Sequence, residues 1–213
     1  MNSGGKIDVF IVGAGSIARH HARALPGESA RLAGVVEIDP ERRTAFVAEH
    51  GGIASFASVE AFLRRKRSPD DLVVVATPPP FHREVVLAVI GAGYHVLCEK
   101  PLTIDRAEAL EITEFAERSG ICAGSCESRF LGYEPVRAAA QMVARANIGT
   151  VVHVEQRSTR RLFRNGFEYQ PQSPWFLNYS QSGGGPVLDW GVYDLAVAGA
   201  VAGGFTQPAV RYA

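Results

Sequence analysis

Short apolar runs alternate with amphipathic stretches through the first 125 residues of the chain. Continuous apolar runs such as Val9–Val12, within the predicted strand 7–12, are typical of strands that are covered on both faces of a parallel sheet. Pairs such as Pro26-Gly27 end the amphipathic stretches, as expected at helix boundaries. The alternation predicts an α/β fold with a doubly wound parallel sheet. Strands are predicted at residues 7–12, 31–37, 53–56, 72–76, 94–98 and 121–125, and helices at 16–25, 40–50, 58–66, 81–92 and 104–119.

The pattern changes after Ser125. A helix is predicted over residues 134–146, and polar alternation predicts a long strand over residues 150–159. After an irregular stretch, a glycine run opens a predicted helix at residues 186–202, and residues 208–212 could begin another strand. These elements are too few for a complete α+β domain. We therefore predict a doubly wound domain over residues 1–126 and an incomplete α+β substrate or oligomerisation domain over residues 127–213.

Charge and cysteine content exclude several classes of protein. Basic and acidic residues total 22 each, so no bulk field attracts nucleic acid or an anionic membrane. The spacing of the three cysteines suits neither a disulfide framework nor a zinc site, and we predict no bound metal. No signal-peptide core and no membrane-spanning apolar stretch is present. We expect a soluble, cytoplasmic protein without nucleic-acid or membrane partners, and a solvated helix end at the basic run 64–67.

A glycine-rich loop follows the first predicted strand, with the sequence Gly13-Ala14-Gly15-Ser16-Ile17-Ala18. Its position between a strand and a helix is that of a dinucleotide-binding fingerprint. Gly13 permits a tight turn, and Gly15 lets a pyrophosphate approach the helix N-terminus. We predict cofactor contacts from Gly13, Gly15, Ser16 and Ile17, with a purely structural turn as the alternative.

The end of the second predicted strand carries Glu37, where such domains recognise the cofactor ribose. A carboxylate there accepts hydrogen bonds from the 2′-hydroxyl group of NAD and repels the 2′-phosphate of NADP. Arg42 and Arg43 follow closely and could pair with that phosphate, so NADP stays an alternative. The acidic residue makes NAD the favoured cofactor.

Two later strand ends carry further candidate residues. Thr77-Pro78 and His82 follow the fourth strand, where proline restrains a loop that faces the cofactor. His82 as a polar residue in the first turn of its helix is an equal alternative. Glu99-Lys100-Pro101 follows the fifth strand, at the edge where open α/β sheets bind ligands. The glycine loop and this lysine together predict a nicotinamide-dependent oxidoreductase.

In order and spacing, these motifs resemble those of the Gfo/Idh/MocA oxidoreductases. The resemblance rests on the glycine loop, on Thr77-Pro78 with His82, and on Cys98-Glu99-Lys100-Pro101. It continues through Arg129-Phe130 and the segment from Gly183 to Tyr193, and it covers nearly the entire chain. It implies a Rossmann domain followed by a substrate domain built on an open, mostly antiparallel sheet.

The resemblance also implies roles for individual residues. Lys100 would lie beside the nicotinamide and hydrogen-bond the reacting oxygen, where negative charge develops. Glu99 would support this lysine or contact the cofactor ribose, and Pro101 is expected in the cis form. Tyr193 stands where many members have the histidine that accepts a proton, which indicates the tyrosine-type subgroup. Asp189 lies four residues earlier on the same predicted helix face and would orient substrate hydroxyls or tune the tyrosine.

The resulting expectation is an NAD(P)-dependent dehydrogenase or reductase acting on CH–OH groups of a sugar, polyol or cyclic diol. The alternatives are a non-catalytic nucleotide-binding regulator, an NAD-dependent glycosidase of the same fold, and an inactive fragment. Members of the family are expected to be longer, so the chain is interpreted as truncated at its C-terminus. A homo-oligomer is expected only where the full C-terminal domain is present.

Overall fold

Six parallel strands form one sheet in the first part of the chain. In this computed structural model, the described residues are 6–145, 148–157, 178–185 and 187–203. The chain divides into two compact units, Met1–Cys126 and Glu127–Ala213. The strands of the first unit are β1 (Ile7–Val12), β2 (Ala30–Val36), β3 (Ala54–Phe56), β4 (Leu72–Val75), β5 (His95–Cys98) and β6 (Ala123–Ser125).

Helices connect these strands, and three of them begin at a polar side-chain cap: α2 (Pro40–Glu49), α3 (Val59–Leu63) and α5 (Arg106–Ser119). The Asp39 carboxylate accepts the first free N–H groups of α2, and Asp105 does the same for α5, which ends at Gly120 with a φ of 64°. The other two are α1 (Ser16–Ala24) and α4 (His82–Gly91), and a 3₁₀ turn (Pro79–Phe81) precedes α4.

The strand order is β3-β2-β1-β4-β5-β6, and every neighbouring pair is parallel. Ile11 and Val74 belong to the buried cluster on one face, whereas Phe10 and Val73 belong to the cluster on the other. Because both faces are buried, the two central strands are apolar over Val9–Val12 and Leu72–Val75, and the predicted doubly wound α/β fold is confirmed. The strand order reverses between β1 and β4, and such folds bind ligands beyond the carboxyl ends of the strands at this point.

Arg65 departs from the prediction of a solvated helix end. Its guanidinium donates to the Asp71 carboxylate at 2.6 Å and to the Tyr94 hydroxyl at 3.2 Å, and it lies 4.2 Å from the ring centre of Phe10. Asp71 is 1% exposed and comes directly before β4. The prediction is wrong for Arg65 because a buried carboxylate draws this cation inward. The cluster lies at the amino edge of the sheet, opposite the strand ends that carry the site motifs.

The regular secondary structure described in the second unit is helical. It contains α6 (Glu134–Ala144), α7 (Tyr179–Ser182) and α8 (Val192–Ala202), with a π-helical turn (Val187–Gly191) directly before α8. The π-helical turn and α8 together account for the predicted helix over 186–202, apart from Pro186, which lies outside the described residues. Helix α6 packs against α8. No described helix combines the length and the apolar character that crossing a bilayer requires.

The long strand predicted over residues 150–159 is not present in its described part. Residues 150–157 carry no strand hydrogen bonds. A strand forms only beside a partner, and no described residue pairs with this segment, so polar alternation alone was misleading here. The strand predicted at residues 208–212 lies outside the described residues.

Candidate active site

The glycine loop joins the end of β1 to α1 with two glycines in different surroundings. Gly13 has a φ of 97°, and a Cβ atom there would lie 2.8 Å from the carbonyl oxygen of Ala76. A Cβ atom on Gly15 would meet nothing within 4 Å. Helix α1 begins at Ser16 without a side-chain cap and without an acidic residue in its first turn. The loop therefore leaves room and backbone N–H groups for an anion, as a pyrophosphate requires.

These surroundings predict opposite effects for two similar substitutions. We expect Gly13→Ala to lower the free energy of unfolding by about 1–3 kcal/mol, because it strains a left-handed residue and meets the Ala76 carbonyl. Gly15→Ala is expected to leave stability within about 0.5 kcal/mol while it weakens NADH binding, since its methyl group occupies the open approach to α1. Thermal unfolding and NADH fluorescence titration of both variants separate the two effects. Equal NADH affinity in Gly15→Ala and wild type would contradict this assignment.

Glu37 lies beside the glycine loop, where the ribose prediction needs it. It is 7% exposed, and its carboxylate accepts the backbone N–H groups of Ala14 at 2.8 Å and Asp39 at 2.9 Å. A carboxylate has about four acceptor positions, so a ribose hydroxyl can still donate to it. The arginines are turned toward their own loop: Arg43 donates to the Glu37 carbonyl oxygen at 2.6 Å, and Arg42 lies 3.5 Å from the Asp39 carboxylate.

A polar side chain, that of Thr77, follows the end of β4. The hydroxyl oxygen of Thr77 is buried and has no hydrogen-bond partner among the described residues. Pro78 follows it and precedes the 3₁₀ turn. Because buried hydroxyl groups are normally hydrogen-bonded, this atom fits a contact with a ligand at the switch point.

His82 is the most enclosed of the predicted site residues. It is 0% exposed. Its Nε2 lies 2.7 Å from the carbonyl oxygen of Thr77, and its Nδ1 lies 2.9 Å from that of Pro101 and 3.2 Å from that of Leu102. The ring thus joins the loop after β4 to the loop after β5. These short contacts between the ring nitrogens and carbonyl oxygens favour a role in holding the two loops, and direct cofactor contact by His82 stays a prediction.

The loop after β5 carries the Glu99-Lys100-Pro101 motif. Glu99 is 8% exposed, and its carboxylate accepts the Lys100 backbone N–H at 3.0 Å. The peptide bond between Lys100 and Pro101 is cis, as the family resemblance implied. Burial by itself raises the pKa of Glu99, but the hydrogen bond to His21 and the Lys100 N–H outweigh it and hold this pKa below its ordinary value. Glu99 is therefore ionised at neutral pH.

His21 is the site residue that sequence reasoning missed. Its Nε2 lies 2.8 Å from the Glu99 carboxylate. A signal was available: His21 is three residues after the buried Ala18, which places both on the face of α1 that meets the sheet. Potential metal-ligand atoms of His21, Glu99 and Cys126 lie within 4.8 Å of one another. His21 and Glu99 already form a hydrogen bond, which a metal ion would have to replace.

In the second unit, the predicted proton-transfer residues lie at a change of helix type. Asp189 is in the π-helical turn, and Tyr193 is in the first turn of α8. The Tyr193 ring packs edge-on against Phe130, with centroids 4.8 Å apart, and lies 5.4 Å from that of Trp190. The predicted helix therefore changes from π to α between Asp189 and Tyr193.

Together, the strand order, the open glycine loop, the buried Glu37 carboxylate and the Thr77 hydroxyl define a dinucleotide-binding Rossmann domain. The profile of the oxidoreductase family with an NAD-binding Rossmann fold matches residues 7–125, and that of the GFO/IDH/MocA C-terminal domain matches residues 136–209. The chain belongs to the Gfo/Idh/MocA family of oxidoreductases.

Relatives of this chain have sugar-related names. The 1,5-anhydro-D-fructose reductase of Ensifer adhaerens is 32% identical over 189 residues, which cover 86% of this chain and 53% of that protein. The glucose-6-phosphate 3-dehydrogenase of Bacillus subtilis (strain 168) is 34% identical over 149 residues, 69% of this chain and 41% of that protein. The crystal structure of an NAD binding oxidoreductase from Klebsiella pneumoniae matches with a TM-score of 0.71 at 25% identity, over 94% of this chain and 54% of that chain. The chain spans about half the length of the curated relatives it matches.

Proposed function

We propose that the protein is an NAD-dependent oxidoreductase that moves hydride to or from a hydroxyl-bearing or carbonyl carbon of a sugar, polyol or cyclic diol. One observation carries the proposal: Lys100 follows β5 at the same sheet edge as the glycine loop after β1 and Thr77 after β4. A cation at this edge lies where doubly wound folds bind their ligands. Membership of an oxidoreductase family supports redox chemistry, and the names of the relatives support a sugar-like substrate.

In the proposed reaction, each candidate residue has a separate task. The hydride acceptor or donor would be the nicotinamide carbon of NAD or NADH, once the cofactor is bound at the strand ends. The Lys100 ammonium donates a hydrogen bond to the substrate oxygen and stabilises the negative charge that develops there. In oxidation the Tyr193 phenolate accepts the proton of the substrate hydroxyl, and in reduction the neutral Tyr193 hydroxyl donates it back to the carbonyl oxygen. Asp189 orients the neighbouring substrate hydroxyls.

The cofactor contacts follow from the first unit. Gly13, Gly15, Ser16 and Ile17 would hold the pyrophosphate at the start of α1, and Thr77, Pro78 and Glu99 would contact the nicotinamide half. Glu37 supports NAD over NADP because its carboxylate repels a 2′-phosphate, and the nearby Arg42 and Arg43 are engaged with their own loop.

The π-helical turn supports a functional role for Asp189. Single π turns are rare and occur frequently at functional sites. The turn Val187–Gly191 places Asp189 directly before α8, the helix that carries Tyr193. A carboxylate in this irregular turn, followed four residues later by a phenol, suits recognition of a polyhydroxylated substrate.

A substrate panel with a matched pair of tyrosine variants tests the proposal. NAD reduction is followed at the absorbance of NADH with sugars, anhydro sugars, polyols and cyclic diols. Tyr193→Phe keeps the ring that packs against Phe130 and removes only the hydroxyl, so we expect kcat to fall about 10²–10⁴-fold with little change in NADH affinity. Tyr179→Phe, at a residue 77% exposed, is the control. Binding of NADH without turnover on any substrate would instead support a non-catalytic regulator.

A further inference from the structure

The Lys100–Pro101 peptide is held from two sides by buried polar side chains. On its amino side, Glu99 accepts the Lys100 N–H at 3.0 Å and bonds His21 at 2.8 Å. On its carboxyl side, His82 reaches the Pro101 carbonyl oxygen at 2.9 Å. The backbone of Lys100 therefore lies between two side-chain contacts.

The two contacts anchor the peptide to different elements of the sheet. His21 comes from α1, which begins at the glycine loop. His82 begins α4, and its second nitrogen lies 2.7 Å from the Thr77 carbonyl oxygen at the end of β4. The loops after β1, β4 and β5 are thus tied together around one peptide, at the edge where the proposed reaction takes place.

Burial shields these hydrogen bonds from water. His82 is 0% exposed, and the side chains of His21 and Glu99 are 18% and 10% exposed. Water therefore has little access to replace a lost bond, and a carbonyl or carboxylate left unpaired in such surroundings carries a desolvation penalty. The Pro101 carbonyl or the Glu99 carboxylate would move to find a new donor, and the Lys100 backbone would move with it.

We propose that His21 and His82 are positioning residues that hold the Lys100 backbone, and through it the ammonium group, at the reacting oxygen. This inference rests on the proposed function. Neither histidine touches the reacting atoms in the proposal. Both act through a hydrogen bond: His21 through the Glu99 carboxylate, and His82 through the Pro101 carbonyl. A displacement of about 1 Å in a reacting group can lower a rate about 100-fold.

The chain offers paired variants for each histidine. His82→Leu removes both ring contacts, whereas His82→Asn keeps an amide N–H near the position of Nδ1. His21→Leu removes the donor to Glu99, whereas His21→Gln keeps one near the position of Nε2. His20→Leu is the matched control, because His20 is the neighbouring exposed histidine of the same helix.

Kinetics separate positioning from a merely structural role. In each leucine variant we expect kcat to fall about 10- to 100-fold while KM for NAD changes less than about threefold. The Asn and Gln variants and the His20→Leu control are expected to stay within about threefold of wild-type kcat. Unchanged kcat in both leucine variants would overturn the inference, and so would equal losses in the leucine variants and their amide counterparts.

A second readout does not depend on turnover. The chain has three lysines, Lys6, Lys66 and Lys100, so ¹³C-methylation of the amines gives few NMR signals, and Lys100→Arg assigns the relevant one. We expect the Lys100 signal to move toward those of the exposed Lys6 and Lys66 in His82→Leu and to stay at its wild-type position in His82→Asn. If the wild-type chain turns over no substrate, the proposed function fails, and the Lys100 signal alone decides the positioning role. A Lys100 signal identical in all variants refutes that role.

Discussion

Replacing Asp71 by alanine is expected to lower the free energy of unfolding by about 3–5 kcal/mol. Asp71 is 1% exposed, and its carboxylate accepts the Arg65 guanidinium at 2.6 Å and the Ser68 backbone N–H at 2.9 Å. The truncation leaves the Arg65 cation among the rings of Phe10 and Tyr94 without its counterion. Removing one partner of a buried ion pair is strongly destabilising because the other charge stays buried and unpaired. Urea denaturation monitored by circular dichroism measures the loss.

Two further variants test the cause of this loss. Glu111→Ala breaks the Arg83–Glu111 ion pair, whose side chains are 41% and 44% exposed, and it should cost no more than about 1 kcal/mol. Arg65→Met added to Asp71→Ala removes the orphaned cation and should recover part of the stability. A loss below about 1 kcal/mol for Asp71→Ala would rule out an uncompensated charge. So would a double variant whose loss in unfolding free energy exceeds the sum of the losses in Asp71→Ala and Arg65→Met.

Replacing Lys100 by methionine is expected to lower kcat/KM about 10²–10³-fold. Methionine matches the length of most of the lysine side chain but has no ammonium group, so the substrate oxygen would lose the donor that we propose stabilises its developing charge. Because the Glu99 contact involves the Lys100 backbone N–H, the loop is expected to stay in place. NADH affinity and thermal stability should therefore change little, which locates the loss in the chemical step.

Lys66→Met is the matched control, because Lys66 is exposed near the end of α3 at the amino edge of the sheet. It should leave kcat/KM unchanged. Steady-state rates of NAD reduction with the best substrate of the panel provide the comparison. A loss of less than about tenfold in Lys100→Met would mean that the ammonium group is not the main source of charge stabilisation.

Much of the first unit was predictable because burial on both faces leaves a plain record in the sequence. The run Val9–Val12 is apolar because α1 and α2 cover one face and α3 to α5 cover the other. The glycine loop was predictable for a different reason, since Gly13 adopts a backbone conformation and a close approach that other residues tolerate poorly. Both features are local, and local signals survive in a single sequence.

Contacts between distant residues left no such record. His21 and Glu99 are 78 positions apart, and Arg65 and Tyr94 are 29 apart. The sequence can place a histidine on the sheet side of a helix or an arginine in a basic run, but it does not show which buried carboxylate the fold brings to it. Residues 150–157 show the reverse case, because alternation indicated a strand whose partner is absent from the described residues.

Titration of NADH into the chain by isothermal calorimetry tests the central claim most directly. If NAD binds at the open glycine loop and at the strand ends of β1, β4 and β5, the chain will bind one NADH saturably. NAD will displace this NADH, and Gly15→Ala will bind it more weakly. The absence of saturable binding to the folded wild-type chain would contradict it.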